Sequence, residues 1–260
     1  MTRLLIGADA AGAVRQAAAE VARRARGAIA ARGRFVLVLA GGATPRELHA
    51  QLAAPGGPFA AAIDWSRLHV LFGDERCVPP DHPDSIFRMA RETLLARVPI
   101  PAGLVHRLHG EDPDPARAAA AHEGELRALF AGGPPWLDLV LLGVGADGHV
   151  ASLFPGAPAL DEPTRWVLPT APPAGGPRPA VRRLTLTLPL LRAARAVLLL
   201  ATGADKAGPA RAALGGSGSL PVQRIQPSSG DLTVVLDAAA ARDLRPDGPA
   251  ETGPDRRIVV

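Results

Sequence analysis

Phe35-Val36-Leu37-Val38-Leu39-Ala40-Gly41-Gly42-Ala43-Thr44-Pro45 is the stretch that decides the fold. Its first five residues are apolar without alternation and end at a glycine pair. Such a run reads as a strand buried on both faces. Gly41-Gly42 then turn the chain, and Pro45 occupies the first-turn position of a helix predicted over 45–52, with Thr44 as its cap. The same order recurs on either side. Leu68–Phe72 runs into Gly73-Asp74-Glu75-Arg76, Leu137–Leu142 into Gly143-Val144-Gly145, and Val197–Ala201 into Thr202-Gly203. Leu4–Ile6 precedes Asp9, which reads as the N-cap of a helix over 10–32, and Leu232–Leu236 is the last strong strand. Helical patterns cover 85–97 and 114–130, Trp166–Leu168 is a weaker strand, Leu184–Leu188 alternates, and the proline-rich stretch 170–179 is a loop. Buried strands alternating with helices predict the α/β class, a mostly parallel sheet sandwiched by helices. One domain is expected over residues 1–244, with a mobile Pro/Gly/acid-rich tail over 245–260.

Composition narrows the function. The 260 residues are 47% hydrophobic and 21% charged, as in ordinary globular proteins. No apolar run reaches the roughly 18 residues of a membrane span, and the N-terminal residues do not form a secretory signal. Cys77 is the only cysteine, so no internal disulfide forms, and a cytoplasmic location is expected. The net charge is +4 and the pI about 10.7. Lys206 is the only lysine, so 28 of the 29 basic residues are arginine; Tyr and Asn are absent. This is the mark of a biased codon usage, and the high pI follows from arginine rather than from a nucleic-acid surface. Basic residues are mixed with acidic ones and the few aromatics form no stacking series, so neither nucleic acid nor membrane is an expected partner.

In sheets of this kind ligands bind beyond the carboxyl ends of the strands. Four loops lie there. Gly41-Gly42 with Thr44 offers close backbone approach and a helix start to an anion. Asp74-Glu75-Arg76 places three charges directly after a buried strand, which suits a cleft as well as a solvated turn. Gly143–Gly148 satisfies G-x-G-x-x-G, but Pro155-Gly156 breaks the helix that a dinucleotide site requires, and Asp147 would face the pyrophosphate. These glycines read instead as a platform presenting Asp147 and His149, a pair suited to proton transfer. Lys206 stands at a helix start after a strand, where an ammonium suits a phosphate. Arg224 is a further candidate cation. Gly215–Ser219 fails as a nucleophile elbow, and the seven histidines show no zinc-ligand spacing, so no metal or cofactor is expected. His106 and His109 read as exposed loop residues.

Taken together, the segments 39–45 (LAGGATP), 72–79 (FGDERCVP), 143–155 (GVGADGHVASLFP), 183–189 (RLTLTLP) and 203–206 (GADK) resemble the glucosamine-6-phosphate isomerase/6-phosphogluconolactonase family. The resemblance implies the Rossmann-like, glucosamine-6-phosphate deaminase-like α/β sandwich. It leans to the lactonases. Deaminases continue the Asp-Gly-His loop into Ala-Phe-Asn-Glu, where this chain has Ala151-Ser152-Leu153-Phe154, and they have Asp-Glu-Tyr where this chain has Asp-Glu-Arg. Ile86, Val150 and Arg192 depart from the family's usual Asn, Thr and Asn. The implied activity is hydrolysis of 6-phospho-D-glucono-1,5-lactone to 6-phosphogluconate in the oxidative pentose phosphate pathway. In that reading His149 is the base and Asp147 orients it. Gly41, Gly42, Thr44, Asp74, Glu75, Arg76, Lys206 and Arg224 bind substrate or its phosphate. The chain would act as a monomer or small homo-oligomer. A non-catalytic sugar-phosphate effector domain, a deaminase-like isomerase and a dehydrogenase built on Gly143–Gly148 are the alternatives.

Overall fold

The computed structural model describes residues 1–216, 218–244 and 256–259. The chain opens with β1 (Thr2–Gly7), α1 (Ala10–Arg32), β2 (Phe35–Leu39), α2 (Ala43–Leu52), a short α3 (Pro58–Ala62), β3 (Leu68–Phe72), β4 (Asp74–Arg76) and α4 (Ile86–Ala90). It continues through α5 (Pro115–Leu129), β5 (Leu139–Leu142), β6 (Val167–Thr170), β7 (Arg183–Leu186), α6 (Leu188–Arg192) and β8 (Ala196–Ala201). Then come α7 (Ala207–Leu214), β9 (Asp231–Asp237) and β10 (Arg256–Val259). The main sheet has the order β10-β1-β9-β8-β5-β2-β3, with β10 antiparallel to β1 and the other strands parallel. Every residue of β2, β5 and β8 is buried, so these strands form the centre of one core that runs from Leu4 to Ala240. Each fully buried leucine there contributes roughly 1.5–3 kcal/mol of transfer free energy. No helix among the described residues is long and apolar enough to cross a membrane.

Local signals act as their chemistry requires. Asp9 caps α1 by accepting the Gly12 N–H at 2.6 Å, and Asp114 caps α5 through the N–H groups of Ala116 and Arg117. The start of α2 differs from expectation. Gly42, with φ +106°, takes the cap position, and Thr44 falls inside the first turn, which frees its hydroxyl for another partner. The helix expected over 85–97 is α4 followed by one wide π-helical turn over Arg91–Leu95.

A second sheet, β4-β7-β6, is antiparallel and stands apart from the main one. Its member β4 is three charged residues long, so no hydrophobic pattern marks it. Its register sets Arg76 opposite Arg183. The tail also differs from expectation where it is described. Arg256–Val259 form a strand in register with β1, Arg3 opposite Val259 and Ile6 opposite Arg256. The rest of the expected mobile tail, 245–255 and 260, lies outside the described residues.

Candidate active site

The carboxyl ends of β2, β3, β5 and β8 surround a cleft of about 480 Å³. The loop after β2 lines it with Gly41, Gly42 and Thr44, and the segment after β3 with Gly73, Asp74 and Arg76. The loop after β5 adds Gly143, Gly145 and His149. Thr202 and Lys206 come from the end of β8, and Arg183 reaches in from β7.

His149 sits on a loop closed by two backbone bonds, Gly145 N–H to the His149 carbonyl and Gly148 N–H to the Gly145 carbonyl. Its Nδ1 lies 2.5 Å from Asp147 Oδ1, which also accepts the His149 backbone N–H. Burial raises the Asp147 carboxyl pKa, but the hydrogen bonds from His149 outweigh it and hold it below the ordinary value. An ionised carboxylate only accepts, so the proton of the neutral imidazole sits on Nδ1 and Nε2 is left as an acceptor. Gly145 is obligatory for this pairing. A Cβ there would overlap the His149 ring at Nδ1 and the Asp147 carboxylate. Phe154 backs the ring, with centroids 5.2 Å apart. Ala151, on the cleft wall, has φ +48°, a conformation costly for a non-glycine residue and concentrated at functional sites.

The freed Thr44 hydroxyl meets that of Thr202 at 2.8 Å, joining the loops after β2 and β8. Lys206 Nζ pairs with Asp205 at 2.8 Å. Two hydroxyls, an ammonium and the amino end of α2 thus gather at this end of the cleft, a combination suited to a phosphate. At the other end Asp74 is buried and accepts from the Ser152 hydroxyl at 2.5 Å. Arg76 donates Nη1 to the Asp84 carbonyl, and Arg183 donates Nη2 to the carbonyls of Pro177 and Pro179. Burial lowers the Arg183 guanidinium pKa while Asp74 opposes it, and the group stays a cation. The Nε of each arginine is buried and has no hydrogen-bond partner.

Of the expected site residues, the structure brings Gly41, Gly42, Thr44, Asp74, Arg76, His149 and Lys206 together on the cleft, with Asp147 behind His149. Glu75 and Arg224 do not reach it. Glu75 points the other way, as the alternation of β4 demands, and is 3% exposed. It accepts the N–H groups of Arg76, Ile86 and Phe87 and the Ser85 hydroxyl, which fastens α4 to β4. Burial pushes its carboxyl pKa up, and those four donors work against the rise. Arg224 is turned to Asp161 and the Leu160 carbonyl. His106 is buried rather than exposed, bonded to His69 at 3.1 Å and to Glu125 at 2.6 Å. Arg183, Ser152 and Thr202 were not singled out by sequence reasoning. Arg183 is one arginine among 28, and only its place at the head of the 183–189 segment sets it apart. Among the described residues no group of three or more His, Cys, Asp or Glu side chains is arranged to hold a metal ion.

Residues 8–234 match the family model of glucosamine-6-phosphate isomerases/6-phosphogluconolactonase. The chain belongs to this family. It is 43% identical over 232 residues to the 6-phosphogluconolactonase of Homo sapiens, covering 86% of each chain. It is 40% identical over 232 residues to that of Synechocystis sp., covering 87% of this chain and 91% of the relative. Relatives at this identity over most of both chains make it an enzyme of the 6-phosphogluconolactonase type. The solved structure of the 6-phosphogluconolactonase from Trypanosoma brucei superposes with a TM-score of 0.82 at 29% identity, covering 93% of this chain and 98% of that one. A monomeric glucosamine-6-phosphate deaminase, at 20% identity and a TM-score of 0.76, shares the fold.

Proposed function

We propose that the chain hydrolyses 6-phospho-D-glucono-1,5-lactone to 6-phosphogluconate, with His149 as general base. The observation that carries the reading is the His149–Asp147 pair, which leaves Nε2 as an acceptor on a cleft lined by Arg76, Arg183 and Lys206. Water attacks C1 while Nε2 takes its proton, and a tetrahedral oxyanion forms. Collapse breaks the bond from C1 to the ring oxygen, which leaves with the proton returned by His149. A positioned base of this kind contributes about 10²–10⁴-fold. The lactone is already an activated ester, so the route as written uses neither a metal nor a covalent nucleophile.

Thr44, Thr202, Lys206 and the amino end of α2 hold the phosphate in this proposal, which fixes C1 against the water. Asp74, Arg76 and Arg183 bind the oxygens of the sugar acid at the other end. The oxidative pentose phosphate pathway and a cytoplasmic location belong to the same reading, the location resting on the single cysteine.

The test is proton release in weak buffer on adding freshly made lactone, with spontaneous hydrolysis subtracted. Wild type accelerates release, and His149→Ala loses about 10²-fold or more of kcat while KM changes little. Lys206→Ala chiefly raises KM. Full turnover by His149→Ala removes the histidine from the mechanism. No acceleration by wild type, with 6-phosphogluconate still binding in calorimetry, replaces the enzyme by an effector-binding domain.

A further inference from the structure

We infer that Gly110, 34 positions from Arg76 in the chain, is a positioning residue that sets where the Arg76 guanidinium stands in the cleft. The inference rests on the proposed lactonase reading, in which Arg76 binds substrate. Gly110 is buried in the turn between α4 and α5, where its N–H donates to the Leu108 carbonyl at 3.0 Å. A Cβ at this position would overlap the Arg76 carbonyl oxygen, and would fall 3.1 Å from the Arg76 carbonyl carbon and 3.4 Å from Cys77 Cα. Those atoms are backbone and have no rotamer with which to move aside. The Gly110 backbone is not in the left-handed region, so glycine is needed here for space, not for conformation.

Arg76 has four other anchors. Its backbone pairs with Arg183 across β4 and β7, and its N–H is bound by Glu75 at 2.7 Å. Its carbonyl accepts the Val78 N–H at 2.8 Å, and its Nη1 bonds the Asp84 carbonyl at 2.9 Å. The turn at Gly110 therefore packs against the Arg76 carbonyl from outside the second sheet. An added methyl group pushes β4 toward the cleft and displaces the guanidinium, unless the turn lifts away and leaves Arg76 in place. A displacement of about 1 Å at a positioning group can cost about 10²-fold in rate.

The experiment compares Gly110→Ala, Arg76→Ala and the double variant in the lactone assay, with Gly103→Ala and Gly124→Ala as controls. A Cβ at either control position has nothing within 4 Å. Gly110→Ala is expected to raise KM about tenfold with a smaller change in kcat, and to add nothing in the Arg76→Ala background. The two controls stay within about twofold of wild type. A Gly110→Ala enzyme with unchanged KM overturns the inference, as does a double variant whose loss is the product of the single losses. Should Gly110→Ala not fold, Leu108→Val loosens the same turn without filling the space. It is expected to raise KM in the wild-type background and to be silent over Arg76→Ala; an effect that multiplies with Arg76→Ala also overturns the inference. Absence of lactone hydrolysis by wild type removes the underlying reading instead, and is distinguishable from either result.

Discussion

Gly145 and His149 lie four positions apart and depend on one another through space that only hydrogen can occupy. The imidazole folds back over the glycine to reach Asp147, so a methyl group at 145 meets Nδ1 and the carboxylate together. Gly145→Ala is therefore expected to reduce kcat nearly as far as His149→Ala does, with a melting temperature within about 5 °C of wild type. The lactone assay beside thermal melts checks both halves of the statement. This pair was legible in the sequence because a histidine two residues from an aspartate in a glycine loop has few structural uses. Arg183 was not, because nothing in its own neighbourhood distinguishes a buried arginine from 27 others. Glu75 misled for the converse reason: it adjoins Asp74 and Arg76 in sequence, and β4 turns neighbours to opposite faces.

At the scale of elements, the helices and parallel strands followed from apolar runs and caps, as at Phe35–Leu39 and Asp9. The small sheet β4-β7-β6 followed only in part: 166–168 and 184–188 mark β6 and β7, while β4 has no such mark. Its strands are short; β4 is wholly charged and pairs with β7 about a hundred residues away, so no local pattern records that pairing. What fastens this sheet to α4 is the Glu75 carboxylate with its four donors. Replacing one oxygen by an NH₂ group sets donor against donor in a buried place. Glu75→Gln is expected to cost about 2–4 kcal/mol of stability, read from urea denaturation. The same change is expected to raise KM, since α4 and Arg76 loosen together.

For the whole molecule, acid is the informative perturbation. His49 on α2 has no exposed surface, and neither ring nitrogen has a hydrogen-bond partner. Burial pushes its pKa down to about 4. The unfolded chain binds a proton at this residue near the ordinary value of about 6.5. Between the two values the unfolded state holds more protons, so stability rises with pH there. The contribution is fully present above about pH 6.5 and is lost as pH falls through 4, an upper limit of about 3 kcal/mol. His49→Leu removes that slope and an unsatisfied polar ring together. Urea midpoints at pH 7.5 and pH 5 are expected to show the variant more stable at both, with the larger gain at pH 5. An equal gain at the two values would mean that the ring takes up its proton in the folded protein as readily as in the unfolded chain.

One feature of the cleft also makes the protein unusually easy to interrogate by covalent labelling. Apart from the chain's amino terminus, Lys206 Nζ is the only primary amine in 260 residues, and it lines the cleft. An acylating or reductive-alkylating reagent therefore has two targets, of which one is the site itself. Intact mass then counts occupancy directly: a bound anion protects one adduct and leaves the other. Coupling to an amine-reactive support in the presence of such an anion would tether the chain by its terminus alone, with the cleft facing solution.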